Sequence, residues 1–348
     1  MKYNKLGKTD IDVSVICLGT MTFGEQNSEA EGHEQMDFAI DHGINFFDTA
    51  ELYAVPSKPG NNGKTEDIIG TWFAKGGGRR EKTIIATKVT GPSKNLSYIA
   101  KDLGFSKARI HEAVERSLRR LQTDYIDLYQ LHWPERSTNM FGQRSFKVDE
   151  SEAWKDNFAD VVDTLDGLIK EGKIRHWGLS NENPYGIMRF LNESDKNDVA
   201  RPVSIQNCYS LLNRLFEVGN AEMAYREQMG LLAYSPMAFG LLSGKYHKKV
   251  DVDRDRLNKF PDHMVRYNSD QCYEATRRYL EIAENHEMTL AQMSLAFVNH
   301  QKFVTSNIIG ATTIDQLKEN IGSADIVLST EILNEIEEVQ KAIPNPAP

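Results

Sequence analysis

Short apolar runs rich in β-branched residues recur along the chain. Between them lie longer stretches whose apolar residues return every three or four positions. The short runs predict strands at Val13–Gly19, Ile44–Asp48, Thr83–Val89, Tyr125–Trp133, Ile174–Ser180, Val203–Asn207, Leu231–Ser235 and Ser306–Gly310. Most lack the strict alternation of a half-exposed strand, as expected of parallel strands covered by helices. The stretch Ile110–Leu121 carries Ile110, Ala113, Val114, Leu118 and Leu121 on one helical face with charges opposite. Val161–Lys170 and Asp315–Ile321 read the same way, and Thr289 is placed to cap a helix running through Phe297.

This unbroken strand–helix alternation predicts an α/β fold, a single closed (β/α)8 TIM barrel over residues 1–342. Met1–Asp12 would form a small hairpin about Gly7-Lys8 that closes the barrel floor. Residues 343–348 would form a flexible Pro-rich tail. An open doubly wound sheet would need a Gly-rich dinucleotide turn after an early strand, and Gly19-Thr20-Met21 does not supply one. Gly91–Lys107, Pro134–Asp156 and Met237–Asp270 are too long for simple connections and read as functional loops at the catalytic face.

Composition narrows the class. A chain of 348 residues, 40% hydrophobic, can bury the core of one barrel. A formal net charge of −9 argues against nonspecific nucleic-acid binding. The pairs Arg79-Arg80 and Arg119-Arg120 are short and isolated and read as solvated surface. Cys17, Cys208 and Cys272 are odd in number and fit no metal spacing, which points to a reducing compartment. With no secretory pattern after Lys2 and Lys5 and no membrane-length apolar run, the expected location is the cytoplasm, with no membrane association. Gly60–Thr65 mimics the end of a phosphate-binding loop, but the required first glycine would fall at Lys58 and no strand immediately precedes it.

Barrel enzymes gather their chemistry at the C-terminal ends of strands. There the second predicted strand runs into Asp48 and, beyond it, Tyr53; the third ends near Lys88; the fourth near His132. Each has an ordinary reading alone: a helix cap, a packing aromatic, a solvated lysine, a structural histidine. Together on three successive strand ends they suit carbonyl reduction. Tyr53 would donate the proton, Lys88 would lower its pKa toward neutrality, Asp48 would hold Lys88, and His132 would orient the carbonyl oxygen.

Further runs extend the pattern: Leu18–Gly24 (LGTMTFG), Asn45–Tyr53, Ala86–Lys88, Asp124–His132, Ile174–Asn181 (IRHWGLSN), Ile205–Asn207, Leu232–Lys245 and Ile309–Asn320. In this order they resemble the aldo-keto reductase superfamily from about residue 1 to 340. The resemblance is strongest to the bacterial branch of Tas-type reductases, itself similar to potassium-channel β subunits. It implies a catalytic tetrad of Asp48, Tyr53, Lys88 and His132, a small-molecule aldehyde or ketone substrate, and NADPH/NADP+ in preference to NADH. It also implies cofactor contacts. Gly19, Thr20, Met21 and Asp48 would line the active-site side. Ser180, Asn181 and Gln206 would hold the nicotinamide carboxamide, and Tyr234 would stack on the ring. Ser235, Pro236, Met237, Gly240, Leu242, Gly244 and Lys245 would fold over the pyrophosphate and ribose. Gly310, Thr312, Gln316, Glu319 and Asn320 would meet the adenosine end. Thr312 and Thr313 sit where the final helix is expected to begin, so free backbone N–H groups there could take a phosphate. Met21, Tyr53 and Trp133 would line the substrate pocket.

Two departures stand out. Ala54–Lys64 is longer than the family's spacer and carries Pro56 and Pro59, and Gln316 replaces the arginine of many relatives. Two rival functions follow: an NADPH-holding redox sensor with slow turnover, against which His132 weighs, and a barrel hydrolase using Asp48 and Glu51. The physiological substrate, the oligomeric state and any protein partner are not written in these motifs.

Overall fold

The computed structural model describes residues 1–247, 256–260 and 265–348. Its strands are β1 (Tyr3–Lys5), β2 (Asp12–Ser14), β3 (Ile16–Gly19), β4 (Phe46–Asp48), β5 (Ile84–Val89), β6 (Ile126–Leu131), β7 (Ile174–Ser180), β8 (Ser204–Cys208), β9 (Gly230–Tyr234) and β10 (Val304–Ile309). Strands β3 to β10 form a closed barrel in chain order. Every barrel pair is parallel, and β10 returns to β3 with Ile308 opposite Cys17. The chain is therefore the (β/α)8 barrel that its periodicity predicts.

Among the described residues the helices are α1 (Glu29–Asp41), α2 (Lys64–Phe73), α3 (Lys107–Leu121), α4 (Phe158–Lys170), α5 (Pro184–Asn197), α6 (Phe216–Glu227), α7 (Arg256–Lys259), α8 (Asp270–Asn285), α9 (Leu290–His300), α10 (Ile314–Gly322) and α11 (Thr330–Ala342). Local chemistry sets their ends. Ser106 accepts from the Arg109 N–H to open α3, which buries Ile110, Ala113, Val114, Leu118 and Leu121. Thr289 and Gln292 form a reciprocal capping box at α9. None of these helices is long and apolar enough to cross a membrane.

The predicted strand Val13–Gly19 divides in two. Its first part pairs with β1 as an antiparallel hairpin, and only its second part enters the barrel. Gly7 makes the hairpin turn with φ +57°, and a Cβ there would stand 2.3 Å from the Val203 carbonyl oxygen, so no larger residue fits. Leu6 and Val13 then pack beneath Cys17, Phe46, Ala86, Leu128, Leu232 and Ile308. The hairpin closes the floor with an apolar layer.

The structure corrects several expectations. The tail 343–348 is docked. Ala347 is buried and its N–H donates to the Leu212 carbonyl at 3.0 Å, while Arg144 donates to the carbonyls of Asn345 (3.3 Å) and Pro346 (3.2 Å). Composition could not reveal partners that lie more than a hundred residues away. Two of the four paired arginines are not solvated: Arg80 meets buried Asp127 at 2.9 Å and Arg120 meets buried Glu66 at 2.6 Å. The helix after Thr312-Thr313 is α10, and α11 follows it against α8. Of the loop Met237–Asp270, residues 248–255 and 261–264 lie outside the described residues.

Candidate active site

Alternation along the barrel strands builds the site. Two residues beyond the floor layer on β4, β5, β6 and β9 stand Asp48, Lys88, Gln130 and Tyr234, with Gln206 beside them on β8. One pleat converts an apolar plug into a polar layer. Lys88 is fully buried and donates to Asp48 Oδ2 at 2.7 Å and to the Thr49 carbonyl at 2.7 Å. The other Asp48 oxygen accepts from Gln206 Nε2 at 2.7 Å and Gln130 Nε2 at 3.3 Å, and Gln206 also donates to Gln130 Oε1 at 3.2 Å. The Asp48 carbonyl accepts from both the N–H (3.1 Å) and the hydroxyl (2.8 Å) of Thr20. At neighbouring Gly19 a Cβ would come within 2.9 Å of Ile308 and the Ile309 carbonyl.

Tyr53 follows β4 on a turn and is half-buried. Its ring centroid lies 5.0 Å from the Lys88 ammonium and 5.9 Å from the His132 ring, edge-on. The structure thus brings all four expected tetrad residues together at one end of the barrel. Their electrostatics differ from the expectation in one respect. Burial raises the Tyr53 pKa above the usual phenol value; Lys88 pulls it down, Asp48 pushes it back, and the net shift is upward. Burial outweighs the pull of Lys88, which Asp48 partly offsets, so the phenol is not drawn toward neutrality. Burial alone would lower the Lys88 pKa, but the charges of Asp48 and Tyr53 outweigh it and the ammonium is held. Burial first, and Lys88 second, hold His132 well below the usual histidine range, so its imidazole is neutral at pH 7. Its Nδ1 is buried without a partner.

The residues implied for the cofactor include one group at the mouth and another at the start of α10, and several in each hold one another. Asn181, at φ +53°, donates to the His132 carbonyl (2.9 Å) and to Ser180 Oγ (3.1 Å), and accepts from the Tyr234 hydroxyl (2.6 Å). With its nitrogen on Asp48, Gln206 keeps its carbonyl oxygen as the remaining acceptor. In Ser235-Pro236-Met237-Ala238-Phe239-Gly240, three non-glycine residues lie in the left-handed region: Ser235 (φ +55°), Ala238 (φ +46°) and Phe239 (φ +60°). Such residues cost about 1–3 kcal/mol each and cluster at ligand-binding segments. Leu242 is buried, and Gly244, at φ +78°, closes this stretch before Lys245. At the other end Gln316 Oε1 accepts from the N–H (2.9 Å) and hydroxyl (3.1 Å) of Thr312, and Asn320 donates to the Gly310 carbonyl at 3.2 Å. Glu319 accepts from the α9 cap, Thr289, at 2.6 Å. A Cβ on Gly310 would meet nothing within 4 Å.

Of the residues expected to line a substrate pocket, Trp133 is only 8% exposed and donates through its indole N–H to the Pro92 carbonyl at 3.1 Å. It meets exposed Phe141 edge to face at 6.0 Å. Met21 is half-buried and its carbonyl accepts from Val55 N–H at 3.0 Å, tying the Ala54–Lys64 segment to the first barrel loop. Glu51 does not share a cleft with Asp48 as a second acid. It is bound by Arg109 at 2.5 Å and by the Thr90 N–H at 2.6 Å. Glu66 likewise takes the Thr87 hydroxyl at 2.5 Å and Arg120. These outer carboxylates brace β5 from the helix side. Gln130 is the member of the polar layer that the sequence reading missed, although its position two residues before His132 places it on the same strand face.

Comparison with known proteins agrees with this architecture. Residues 15–341 match the aldo/keto reductase family. The chain is 48% identical to protein tas of Escherichia coli over the full length of both. It is 35% identical to the uncharacterized oxidoreductase YrpG of Bacillus subtilis, covering 97% of this chain and 96% of that one. It is 30% identical to a probable voltage-gated potassium channel subunit beta of Arabidopsis thaliana, covering 99% and 98%. The chain belongs to the aldo/keto reductase family and is an oxidoreductase.

Proposed function

We propose that the protein reduces an aldehyde or ketone to the alcohol with NADPH, using Tyr53 as the general acid. The observation that carries this reading is the buried Lys88–Asp48 pair, with a phenol and a neutral imidazole set beside it. When bound, the reduced dinucleotide supplies the hydride. Tyr53, its pKa above the usual phenol value, holds its proton at neutral pH and has one to donate. Lys88 stabilises the phenolate left behind, and Asp48 fixes Lys88. Neutral His132 hydrogen-bonds the carbonyl oxygen and orients it. Gln206, Ser180 and Asn181 would read the carboxamide, and the Gln206 oxygen, with its nitrogen on Asp48, suits its N–H donors. Tyr234 is the stacking platform, the strained segment from Ser235 through Lys245 covers the pyrophosphate and ribose, and Thr312, Gln316, Glu319 and Asn320 meet the adenosine end. The three free cysteines accord with a cytoplasmic location as part of the same proposal.

Titration of the purified protein with NADPH and with NADH, followed by quenching of tryptophan fluorescence, tests the reading. The expected result is saturable quenching by both with tighter binding of NADPH, and cofactor consumption in a screen of aldehydes and ketones. Failure of folded protein to bind either nucleotide overturns it.

A further inference from the structure

Two cations lie near the mouth, Lys88 fully buried and Arg266 half-buried, and the structure treats them differently. Lys88 is matched by Asp48. Arg266 has no carboxylate partner among the described residues. Its guanidinium lies over the Tyr267 ring at 4.9 Å from the centroid and over the Tyr234 ring at 6.0 Å. Its Nε and one Nη are buried without an acceptor. The neighbouring Tyr267 hydroxyl is 3.5 Å from Cys208 Sγ, and burial keeps both tyrosines protonated, with Tyr234 pushed up to about 12. The backbone holds the arginine in place: its carbonyl accepts from Cys272 Sγ at 3.4 Å. A half-buried charge with no carboxylate partner among the described residues is screened less than one in bulk water.

We infer that Arg266 discriminates the redox state of the cofactor: its unmatched positive charge against Tyr234 disfavours a positively charged nicotinamide on that ring and tips binding toward the reduced form. This rests on the nicotinamide site proposed above. NADPH and NADP+ share every phosphate and ribose contact and differ in the charge of one ring. The ratio of their dissociation constants therefore isolates the ring charge from everything else that Arg266 does. Unit charges within about 10 Å of each other, at an effective dielectric of about 20, shift such a ratio on the order of tenfold. The direction suits a reductase, because the spent cofactor is held less tightly than the fresh one.

The experiment is a fluorescence titration of the wild type, Arg266→Met, Arg266→Gln and Arg266→Lys with NADPH and with NADP+, each protein checked for a native thermal transition. It needs no turnover. The expected result is a wild type that binds NADPH more tightly than NADP+. That preference should fall on the order of tenfold in the two neutral variants and persist in Arg266→Lys. Two neutral variants are used because either one could fail to fold. A wild type with no preference, or neutral variants that lose affinity for both forms equally, overturns the inference while leaving the cofactor site standing. A wild type that binds neither form overturns the site and the inference together.

Discussion

The floor and the mouth of the barrel lie one pleat apart and are held together by opposite means. The floor is Cys17, Phe46, Ala86, Leu128, Leu232 and Ile308, sealed by Leu6 and Val13. The mouth is Asp48, Lys88, Gln130 and Gln206, joined by hydrogen bonds among themselves. Burial does not separate the layers, since Leu128 and Lys88 are both 0% exposed. What separates them is how each buried group is satisfied. A floor residue needs contact from any apolar neighbour of the right volume. A mouth residue needs particular partners, and removing one leaves another stranded. Damage to the floor should therefore cost stability alone. Damage to the mouth should cost chemistry, or chemistry and stability together.

The largest effect expected is at Tyr53, which borders the polar layer without anchoring it. Tyr53→Phe removes the proposed proton donor and should lower kcat for carbonyl reduction by about 10²–10⁴-fold, with NADPH quenching retained and the thermal transition little moved. A variant with undiminished turnover would end the general-acid assignment and would set Tyr53 apart from the mouth.

Next comes the ion pair. Lys88→Met leaves Asp48 buried with only two amide donors, and the expected loss is about 3–5 kcal/mol in denaturant unfolding, along with turnover. Adding Asp48→Leu should return part of that stability, because the stranded charge goes with it, but no turnover. A single variant within about 1 kcal/mol of wild type would mean that Asp48 is satisfied by the glutamines alone. Leu128→Ala supplies the contrast from the floor. It should lose about 2–5 kcal/mol, while kcat/KM measured well below the transition stays within about threefold of wild type. A large fall in kcat/KM at full folding would show that the floor positions the mouth, and the two-layer division would fail.

Much of this was legible in the chain. The eight barrel strands, the floor hairpin and the four tetrad positions fall where periodicity and strand ends place them, because a parallel barrel strand is a short apolar run with chemistry at its C-terminal end. The split of Val13–Gly19 was hidden, since a hairpin and a barrel strand draw on the same residues and only the turn at Val15 divides them. Gln130 was hidden because both faces of β6 are buried, Tyr129 on one and Gln130 on the other, so alternation left no polar–apolar contrast. The upward shift of Tyr53 was out of reach because it comes first from burial, which outweighs the opposing pull of Lys88, and burial is a matter of packing rather than spacing. Arg266 was unreadable for a related reason. Its charge matters because its nearest neighbours are rings and a thiol, and no spacing in the sequence announces that.

His132 gives the smallest and most local test of the comparison, because it joins the mouth to solvent pH. Its imidazole is held neutral by burial and by Lys88, so the folded protein refuses a proton that the unfolded chain accepts below about 6.5. Stability is then fully present above that value. It is lost as pH falls from about 6.5 toward the depressed folded pKa, by at most about 1.4 kcal/mol per pH unit from this residue. His132→Gln cannot take up the proton, so its unfolding free energy should fall less steeply than wild type between about pH 6.5 and 5. The difference between the two curves is the readout, since other histidines contribute equally to both. Parallel curves would mean that water or movement of Trp133 lets the imidazole charge in place. The mouth would then be wetter than its buried Lys88–Asp48 pair implies.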